Sequence, residues 1–581
     1  MANLFLLWIA AGLFLLFGQA SGAATLPRPP AWPSPRYSSD RNRADAVREA
    51  FRVSWDGFYK HAFPHDSLRP VSNGYADDRN GWAASAVDAF STAIVMGEWD
   101  VVDQILQYIP EIDFSKTMGM VSLFETTIRY LGGLLSAYDL LTGFFNQEVK
   151  HRTLHVEAIL RQARRLADNL KVGFDTPSGV PDNLLWFDPP RKAGSTVNSI
   201  ATAGTLVLEW TRLADLTGDD EYAELAQRAE KYLLRPEPAE VAEPFPGLLG
   251  TDVRIADGLF VNGNGGWGGG TDSFYEYLIK MYLYDRVRFG EYAERWLAAA
   301  DSSMRHLVSH PTARPDLTFL AMWHGTELRF ASGHLACFHG GNFILGGLVL
   351  DERRYVRFGL ELVDGCHETY EATATGLGPE AFAWQDASLP LDAHNNHPPP
   401  REQAAFYNAS GFWIVNGNYA LRPEVIESYY HAYRATGNIK YQRWAWEVFL
   451  RINETCRVGS GFSAIHDVNR PGGGGFSDFQ ESFWFAEVLK YSYLIQAEEA
   501  PWQVKADHTN EFVFNTEAHP IRVAGGSEWS YFDGSKRRLS RALAGAIITH
   551  NGLPPPYPGS GLGLDAKMAG GLEISVLIRG G

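Results

Sequence analysis

Apolar residues recur at helical spacing through most of this chain. The residues Val47, Phe51, Ser54, Trp55 and Phe58 are three or four positions apart, so they share one face of a helix. Because no comparable series of alternating strands appears, we predict an all-α fold, a helical toroid whose inner helices line a central cavity. Clusters of Gly, Pro, Asn and Asp separate further amphipathic stretches, which lie near residues 80–98, 118–140, 147–172, 197–217, 219–234, 272–287, 290–308, 354–372, 423–436, 438–453 and 480–496.

Both ends of the chain differ from this helical pattern. An uninterrupted apolar run covers 4–17 and small residues follow it, so we predict a signal peptide over 1–23. A retained signal anchor is the alternative, although the run is short for a membrane span. The Pro-rich segment 24–40 is predicted to be an extended leader, and 523–581 is a tail to which we assign no structure and which we expect to be disordered.

Charge and cysteine content restrict the class of protein. The net charge is −17, and such an acidic chain does not bind the phosphates of nucleic acids non-specifically. The three cysteines, Cys337, Cys366 and Cys456, are too few for a disulfide scaffold and form no close metal-binding pair, so one disulfide and one free thiol is the simplest count. Sequons at Asn408 and Asn453 agree with a lumenal or extracellular location.

Acidic residues occur repeatedly where the surrounding sequence is apolar or aromatic. Glu125 lies in an apolar stretch with Arg129 one helical turn away, which fits either a structural ion pair or a carboxyl group inside a cavity. Acids early in a helix are common, so each position alone has an ordinary explanation. The other positions are Asp272 with Glu276, Glu380, Glu424 with Glu427, and Glu481 with Glu487.

Taken together, these acids predict a pocket lined by carboxylates. Glycoside hydrolysis needs one carboxylic acid to protonate the leaving oxygen and one carboxylate to activate water or to attack carbon. Additional carboxylates suit a hard cation such as calcium. From the residues alone, another helical-barrel glycosidase that acts on plant or fungal polysaccharide remains an alternative.

Seven sequence blocks carry a resemblance to a known family. They are Ser122–Arg129, Thr271–Tyr277, Gly333–Phe338, Thr375–Glu380, Leu421–Ser428, Glu481–Glu487 and Phe514–Pro520. In order and content they resemble the class I α-1,2-mannosidases (glycoside hydrolase family 47), and most closely the fungal secreted members. The resemblance implies an (α/α)7 barrel over 41–522, with a C-terminal hairpin that plugs one end.

The resemblance also implies a role for each matching residue. Glu424 matches the base that activates water, and Glu125 matches a proton donor that acts through a water molecule, with Asp272 as the competing donor. Thr516 matches a direct calcium ligand. The full implied set has catalytic Glu125, Asp272, Glu380 and Glu424, substrate-binding Arg129, His334, Arg422 and Phe483, water-mediated calcium ligands Glu427, Glu487 and Glu517, and a Cys337–Cys366 disulfide.

Two positions depart from the family or vary within it. Asp88 is present, but Ser91 stands where the family usually has a second Asp. Gly270 occupies the position, two residues before Asp272, where endoplasmic-reticulum members carry an Arg that restricts trimming to one mannose. Because glycine has no side chain, we expect a broader substrate range at this position.

The resemblance therefore implies a calcium-dependent, inverting exo-α-1,2-mannosidase that trims high-mannose N-glycans on glycoproteins. We expect a monomer in the secretory pathway, either secreted or in the Golgi or endoplasmic-reticulum lumen, with membrane attachment only through an uncleaved N-terminal anchor. The alternative is a mannosidase-like glycan-binding factor in glycoprotein quality control, which binds mannose with little turnover. The complete set of acids together with Thr516 argues against an inactive site.

Overall fold

Seven helical segments with almost wholly buried surfaces form the inner layer of a barrel. They are seen in a computed structural model that describes residues 35–117 and 119–524. Every residue of Ala84–Met96 and of Phe338–Val349 is buried, as expected for helices that are apolar on all sides. The inner segments are Ala84–Met96, Leu123–Thr126 with Thr127–Leu131 and Gly132–Thr142, Ile200–Gly204 with Val207–Thr217, Asp272–Tyr284, Phe338–Val349, Glu424–Thr436, and Trp484–Val488 with Leu489–Leu494.

Seven amphipathic helices form the outer layer in the same part of the chain. In Thr153–Leu170, for example, the buried residues Val156, Ile159, Ala163 and Leu166 follow helical spacing and the opposite face is open to solvent. Inner and outer helices alternate along the sequence. The outer helices are Arg41–His61, Trp99–Tyr108, Thr153–Leu170, Glu221–Leu234, Gly290–His306, Arg353–Glu371 and Ile439–Thr455.

The inner helices close into a ring. Each packs against the inner helix before it and the one after it, and the last, Leu489–Leu494, returns to the first, Ala84–Met96. The predicted all-α (α/α)7 barrel is therefore confirmed. Within the described ranges, no helix combines the length and apolar character needed to cross a bilayer. The predicted signal peptide, residues 24–34 of the leader and residues 525–581 of the tail lie outside the described residues.

Short antiparallel strands occupy most of the connections that lead from an outer helix to the next inner helix. They form sheets of two or three strands, and each strand is too short for a recognisable alternation of apolar and polar residues. These strands are Ser67–Arg69, Gly74–Ala76, Val121–Ser122, Leu184–Phe187, Pro190–Lys192, Val197–Ser199, Asp252–Arg254, Asn264–Gly265, Val308–Ser309, Phe319–Leu320, Met322–His324, Glu327–Arg329, Ala331–Gly333, Ala381–Ala383, Trp413–Asn416, Arg457–Val458 and Gly461–Phe462.

A C-terminal hairpin closes the opposite end of the barrel. Its strands, Phe512–Phe514 and Pro520–Arg522, pair in antiparallel register and pack against the inner helices Gly132–Thr142 and Asp272–Tyr284. The turn between the strands, 515–519, is directed along the barrel axis toward the cavity at the other end, because two of its residues line that cavity. The hairpin thus serves both as a plug and as a support for part of the site.

Two helices of the barrel layers were not predicted from the sequence pattern. Phe338–Val349 has no polar face and contains four glycines, so it shows no amphipathic periodicity. Its glycines allow close packing, since a Cβ atom at Gly346 would lie 2.2 Å from the Trp296 ring. Trp99–Tyr108 is short and begins only two residues after Gly97, which ends the preceding helix in a left-handed conformation.

The disulfide implied by the resemblance is formed. Cys337 and Cys366 are bonded, and Cys456 is a buried free cysteine. The bond joins the start of one inner segment to the outer helix Arg353–Glu371, and the two cysteines are 29 positions apart in the sequence. A loop of this length constrains the unfolded chain and thereby stabilises the folded barrel.

We expect a Cys337→Ala/Cys366→Ala variant to unfold more easily than the native protein. The chain-entropy model gives a loss of about 3–4 kcal/mol for a loop of this length. Denaturant unfolding of the variant and of a Cys456→Ala control would measure it. A variant as stable as the native protein would show that the bond does not contribute to stability.

Candidate active site

The first turns of three inner helices meet at the open end of the barrel and surround a cavity. Glu125, Asp272 and Glu424 each lie in the first turn of an inner helix and line this cavity, whose volume is about 380 Å³. Helix N-termini carry partial positive charge, which favours acidic side chains at these positions. The cavity therefore gathers carboxylates from separate parts of the chain.

Glu424 is held as a carboxylate. Its Oε2 atom lies 2.6 Å from Nδ1 of His334, which is buried behind it. Burial opposes ionisation of Glu424, but the hydrogen bond and charge of His334, together with the charge of Arg422, outweigh burial and hold its pKa below the usual value. A buried but ionised carboxylate that faces a cavity has the properties of a general base.

Glu125 is flanked by two guanidinium groups. Arg129 donates a hydrogen bond of 2.8 Å to its carboxylate, as the spacing of four residues predicted, and Nε of Arg79 lies 3.6 Å from the same oxygen. Burial opposes ionisation of Glu125, but the charges of Arg129 and Arg79 outweigh it and hold the pKa of Glu125 below its usual value. Glu125 therefore forms an ion pair and lines the cavity at the same time.

Asp272 has the opposite electrostatic setting. Burial, reinforced by the negative charges of Glu276 and Glu424, raises the pKa of Asp272 to about 7. Its side chain accepts a hydrogen bond of 2.9 Å from the backbone N–H of Ser273. The cavity thus holds two acids whose ionised form is favoured, Glu424 and Glu125, and one, Asp272, that is about half protonated near pH 7.

A cluster of acids lies at the bottom of the cavity, around the hairpin turn. Burial and the charges of neighbouring acids raise the pKa of Glu427 to about 8. They also raise the pKa values of Glu487 and Glu517 well above the usual range, although Arg129 pairs with Glu517. Buried like charges repel one another, so this arrangement favours either bound protons or a cation among the acids.

The hairpin turn places Thr516 beside these acids. The backbone N–H of Thr516 donates to the hydroxyl of Tyr277, at 3.2 Å, and the side chain of Asn515 accepts hydrogen bonds from the N–H groups of Glu517 and His519. Lys280 donates to the carbonyl of Asn515. These contacts fix the turn, so the position of Thr516 is set by the barrel and not by the turn alone.

The donor groups fit a hard cation better than a transition metal. Thr516, Glu427, Glu487 and Glu517 line one cavity and offer only oxygen atoms, which calcium prefers. Among residues 35–117 and 119–524, no group of three or more His, Cys, Asp or Glu side chains is arranged to hold a metal ion. A cation here would therefore need Thr516 and water molecules as ligands, with the acids binding those waters.

An aromatic ring and two arginines form another part of the wall. The guanidinium carbons of Arg129 and Arg422 lie 5.7 and 5.8 Å from the centre of the Phe483 ring. Arg422 also forms a two-oxygen ion pair with Glu380, at 2.8 and 3.0 Å. A flat ring beside fixed hydrogen-bond donors suits a sugar, whose C–H face is apolar and whose edge carries hydroxyl groups.

The departure at Ser91 lies beneath the hairpin turn. The Ser91 hydroxyl is 2.9 Å from both Nδ1 of His519 and Nζ of Lys490, and Lys490 also donates to the carbonyl of Ala518. Asp88 is fully buried and lies 3.6 Å from the Arg129 guanidinium. Ser91 therefore lies among the residues that support the hairpin turn, and it is not part of the carboxylate set that lines the cavity.

The structure brings ten of the twelve predicted catalytic, substrate-binding and metal-binding residues into the cavity wall. The other two, His334 and Glu380, are not among the lining residues but contact them: His334 contacts Glu424, and Glu380 contacts Arg422. Sequence reasoning did not select Arg79, because a polar loop before a helix carries no signal of burial. Glu276 and Glu481 also line the cavity but were not assigned a role.

The chain is similar to known proteins over most of its length. The sequence model for the family described as glycosyl hydrolase family 47 matches residues 50–523. The chain is 55% identical over 486 residues, 84% of its length, to a mannosyl-oligosaccharide α-1,2-mannosidase from Penicillium citrinum, of which 93% is covered. It is 54% identical over 528 residues, 90% of its length, to a probable mannosyl-oligosaccharide α-1,2-mannosidase 1B from Aspergillus clavatus, of which 99% is covered.

A solved structure is similar over the same region. The α-1,2-mannosidase from Trichoderma reesei superposes with a TM-score of 0.81 and 52% sequence identity. The match covers 84% of this chain and 100% of that one. The similarity therefore extends over the whole barrel.

Proposed function

Because the chain belongs to glycosyl hydrolase family 47, we propose that it is a calcium-dependent, inverting exo-α-1,2-mannosidase that trims high-mannose N-glycans on glycoproteins. The relatives named as mannosyl-oligosaccharide α-1,2-mannosidases support the activity and the linkage. The observation that carries the proposal is the cavity, in which a carboxylate with a lowered pKa and a carboxyl group with a raised pKa face one space.

In this proposal Glu424 is the general base. Inverting glycosidases use one carboxylate to take a proton from the water that attacks the anomeric carbon. His334 keeps Glu424 ionised and fixes the orientation of its carboxylate. Because His334 does not line the cavity, we assign it a positioning role and not a direct contact with substrate.

The proton donor is the acid that protonates the leaving oxygen. Both Glu125 and Asp272 line the cavity, and the resemblance implies Glu125 as donor. The raised pKa of Asp272, about 7, favours Asp272 as the group that holds a proton, whereas Arg129 and Arg79 favour the ionised form of Glu125. We therefore propose that Asp272 supplies the proton and that Glu125 stabilises positive charge on the sugar.

We propose that Thr516 binds calcium directly and that Glu427, Glu487 and Glu517 hold its water ligands. The absence of His and Cys from this group supports an ion that takes oxygen ligands. When bound, calcium would orient the sugar hydroxyls and the attacking water and would offset the charge of the buried acids. Phe483 would lie against the apolar face of the mannose, and Arg129 and Arg422 would donate hydrogen bonds at the pocket wall.

Release of free mannose from a nine-mannose glycan tests the activity. We expect proton NMR during the reaction to detect β-mannose first, because inversion at an α-linkage gives the β-anomer. The appearance of α-mannose first would contradict the inverting mechanism. Tight binding without release of mannose would instead support the alternative, a glycan-binding factor in glycoprotein quality control.

We propose a secretory-pathway location, either secreted or lumenal, and a monomeric state. The fungal mannosidase relatives and the disulfide support a secretory location. Asn408 is exposed on the short helix Ala404–Ser410, and Asn453 is half-buried on the outer helix Ile439–Thr455. Asn408 is therefore the more accessible of the two predicted glycosylation sites.

We expect the enzyme to remove several mannose residues from a nine-mannose glycan and to approach the five-mannose core. Gly270 lines the cavity beside Asp272 and has a φ of +90°, a conformation that favours glycine. The wall there lacks a side chain, so different branches can enter. Mass spectrometry of a digestion time course would measure the products, and accumulation of a single eight-mannose isomer at high enzyme concentration would contradict the prediction.

A further inference from the structure

A second cavity opens at the same end of the barrel as the candidate active site. Its volume is about 510 Å³, and it is lined by residues from the connections that lead into the inner helices, including Asn80, Trp82, Tyr108, Glu111 and Asp188. A space of this size can hold a ligand of several sugar rings or a small molecule. The function described above does not use this cavity.

The two cavities share part of their wall, the loop 79–82. Arg79 lines the active-site cavity, and the next residues, Asn80, Gly81 and Trp82, line the second one. Arg79 and Asn80 are neighbours in the chain, so their Cα atoms are only about 3.8 Å apart. Left-handed conformations at Asn80 (φ +81°) and Gly81 (φ +76°) turn the backbone sharply at this point.

The shared wall is rigid because one buried carboxylate holds it. Asp66 accepts hydrogen bonds from the backbone N–H groups of Arg79, Gly81, Trp82 and Ala84, at 2.8, 2.7, 2.9 and 3.1 Å. A loop tied at four points keeps its shape when a ligand binds on either side. The relation between the two cavities is therefore fixed in the fold.

A pair of strands also links the second cavity to the active site. Asp188 lies in the turn between the strands Leu184–Phe187 and Pro190–Lys192 and lines the second cavity. The strand Leu184–Phe187 pairs with Val121–Ser122, which leads directly into the helix that carries Glu125. Two separate chain segments, the loop 79–82 and the paired strands between Asp188 and Glu125, therefore link the second cavity to the mouth of the active site.

The lining chemistry suits a neutral, hydroxyl-rich ligand. Glu111 and Asp188 are exposed at the cavity edge, and their oxygens can accept hydrogen bonds from hydroxyl groups. The amide of Asn80 can donate as well as accept, and the half-buried ring of Tyr108 offers aromatic surface for the apolar face of a sugar ring. The lining holds the acids Asp77, Glu111, Asp113 and Asp188 against one lysine, Lys116, and one histidine, His65, so its excess of negative charge disfavours an anionic ligand.

We propose that the second cavity binds another mannose arm of the same branched oligosaccharide whose terminal residue occupies the active site. This inference rests on the proposed function. The loop 79–82, which Asp66 holds in place and which lines both cavities, would then have one arm of the branched sugar on each side. Binding of both arms raises the affinity for branched glycans over that for a short linear fragment.

The test compares two substrates in a Glu111→Ala/Asp188→Ala variant. The α-1,2-linked mannose disaccharide reaches only the active site, whereas a nine-mannose oligosaccharide reaches both cavities. We expect KM for the oligosaccharide to rise about 3–10-fold, the effect of losing one or two hydrogen bonds, while kcat/KM for the disaccharide stays unchanged. A Glu224→Ala/Glu294→Ala control, which removes two exposed acids from outer helices, should affect neither substrate.

The outcomes separate this inference from the proposed function. If the native protein releases mannose from neither substrate, the proposed function fails. If it releases mannose from both, but the variant loses activity equally on both or on neither, the second cavity does not bind an arm of the glycan. Thermal unfolding of the variant, expected to match that of the native protein because both side chains are exposed, excludes misfolding as the cause of a loss.

Discussion

A Glu424→Gln variant is expected to lose about 10²–10⁴-fold in kcat while it retains affinity for the glycan. The substitution keeps the shape of the side chain but removes the carboxylate that accepts the proton from water. His334, whose Nδ1 lies 2.6 Å from this carboxylate, can still donate to the amide oxygen, so the pocket should keep its form. Steady-state kinetics would measure kcat, and calorimetry with the nine-mannose glycan would measure affinity.

Glu230→Gln is the matched control. Glu230 is also a buried glutamate, with 1% exposure, but it lies on an outer helix and does not line the cavity. Burial raises its pKa well above the usual value and so favours the uncharged form, which glutamine resembles in shape and charge. Equal loss of activity in the two variants would mean that Glu424 has no special role in the reaction.

Thr516→Val is expected to weaken calcium binding by at least about 10–100-fold, the range seen even when groups outside the ligand set are removed. Valine matches threonine in shape but lacks the hydroxyl oxygen. The carboxylates of Glu427, Glu487 and Glu517 would then lack a well-held cation. Calcium at 100 times its Kd stabilises a protein by about 2.7 kcal/mol. We therefore expect the unfolding temperature of the native protein to rise when calcium is added. The unfolding temperature of the variant should rise only at higher calcium concentrations.

Thr211→Val provides the control for this experiment. Thr211 is a buried threonine on an inner helix, and its hydroxyl has no hydrogen-bond partner among the described residues. Its replacement should leave the calcium dependence of unfolding and of mannose release unchanged. Full activity of the native protein after prolonged treatment with excess chelator would contradict the role proposed for calcium, and a normal calcium response of Thr516→Val would contradict the role proposed for Thr516.

Local sequence was sufficient for most of the elements that have one apolar face, although the short outer helix Trp99–Tyr108 was missed. The helix Thr153–Leu170 shows the expected spacing because solvent covers one side and the barrel covers the other. The same logic failed for Phe338–Val349, which is surrounded by protein on all sides and has no polar face. Burial on every side removes the periodicity from which a helix is predicted, and this is why Phe338–Val349 was missed.

The candidate site was predictable as a set of residues but not as an arrangement. Acids in apolar surroundings indicated a pocket, and the resemblance identified which blocks take part. Neither could show that His334 contacts Glu424, that Glu380 contacts Arg422, or that Arg79 lies beside Glu125. These contacts connect residues far apart in the sequence or lie in loops whose local sequence has no burial signal.

The sequence by itself determined the helical content, the family blocks and the residue types available for acid–base chemistry and for calcium. Only the tertiary structure decided how each acid behaves, because a pKa depends on burial and on charges supplied by other helices. Glu125 and Asp272 both lie in a first helical turn, yet the pKa of Glu125 is lowered and that of Asp272 is raised to about 7. The difference arises because two arginines contact Glu125, whereas Asp272 is buried near other acids.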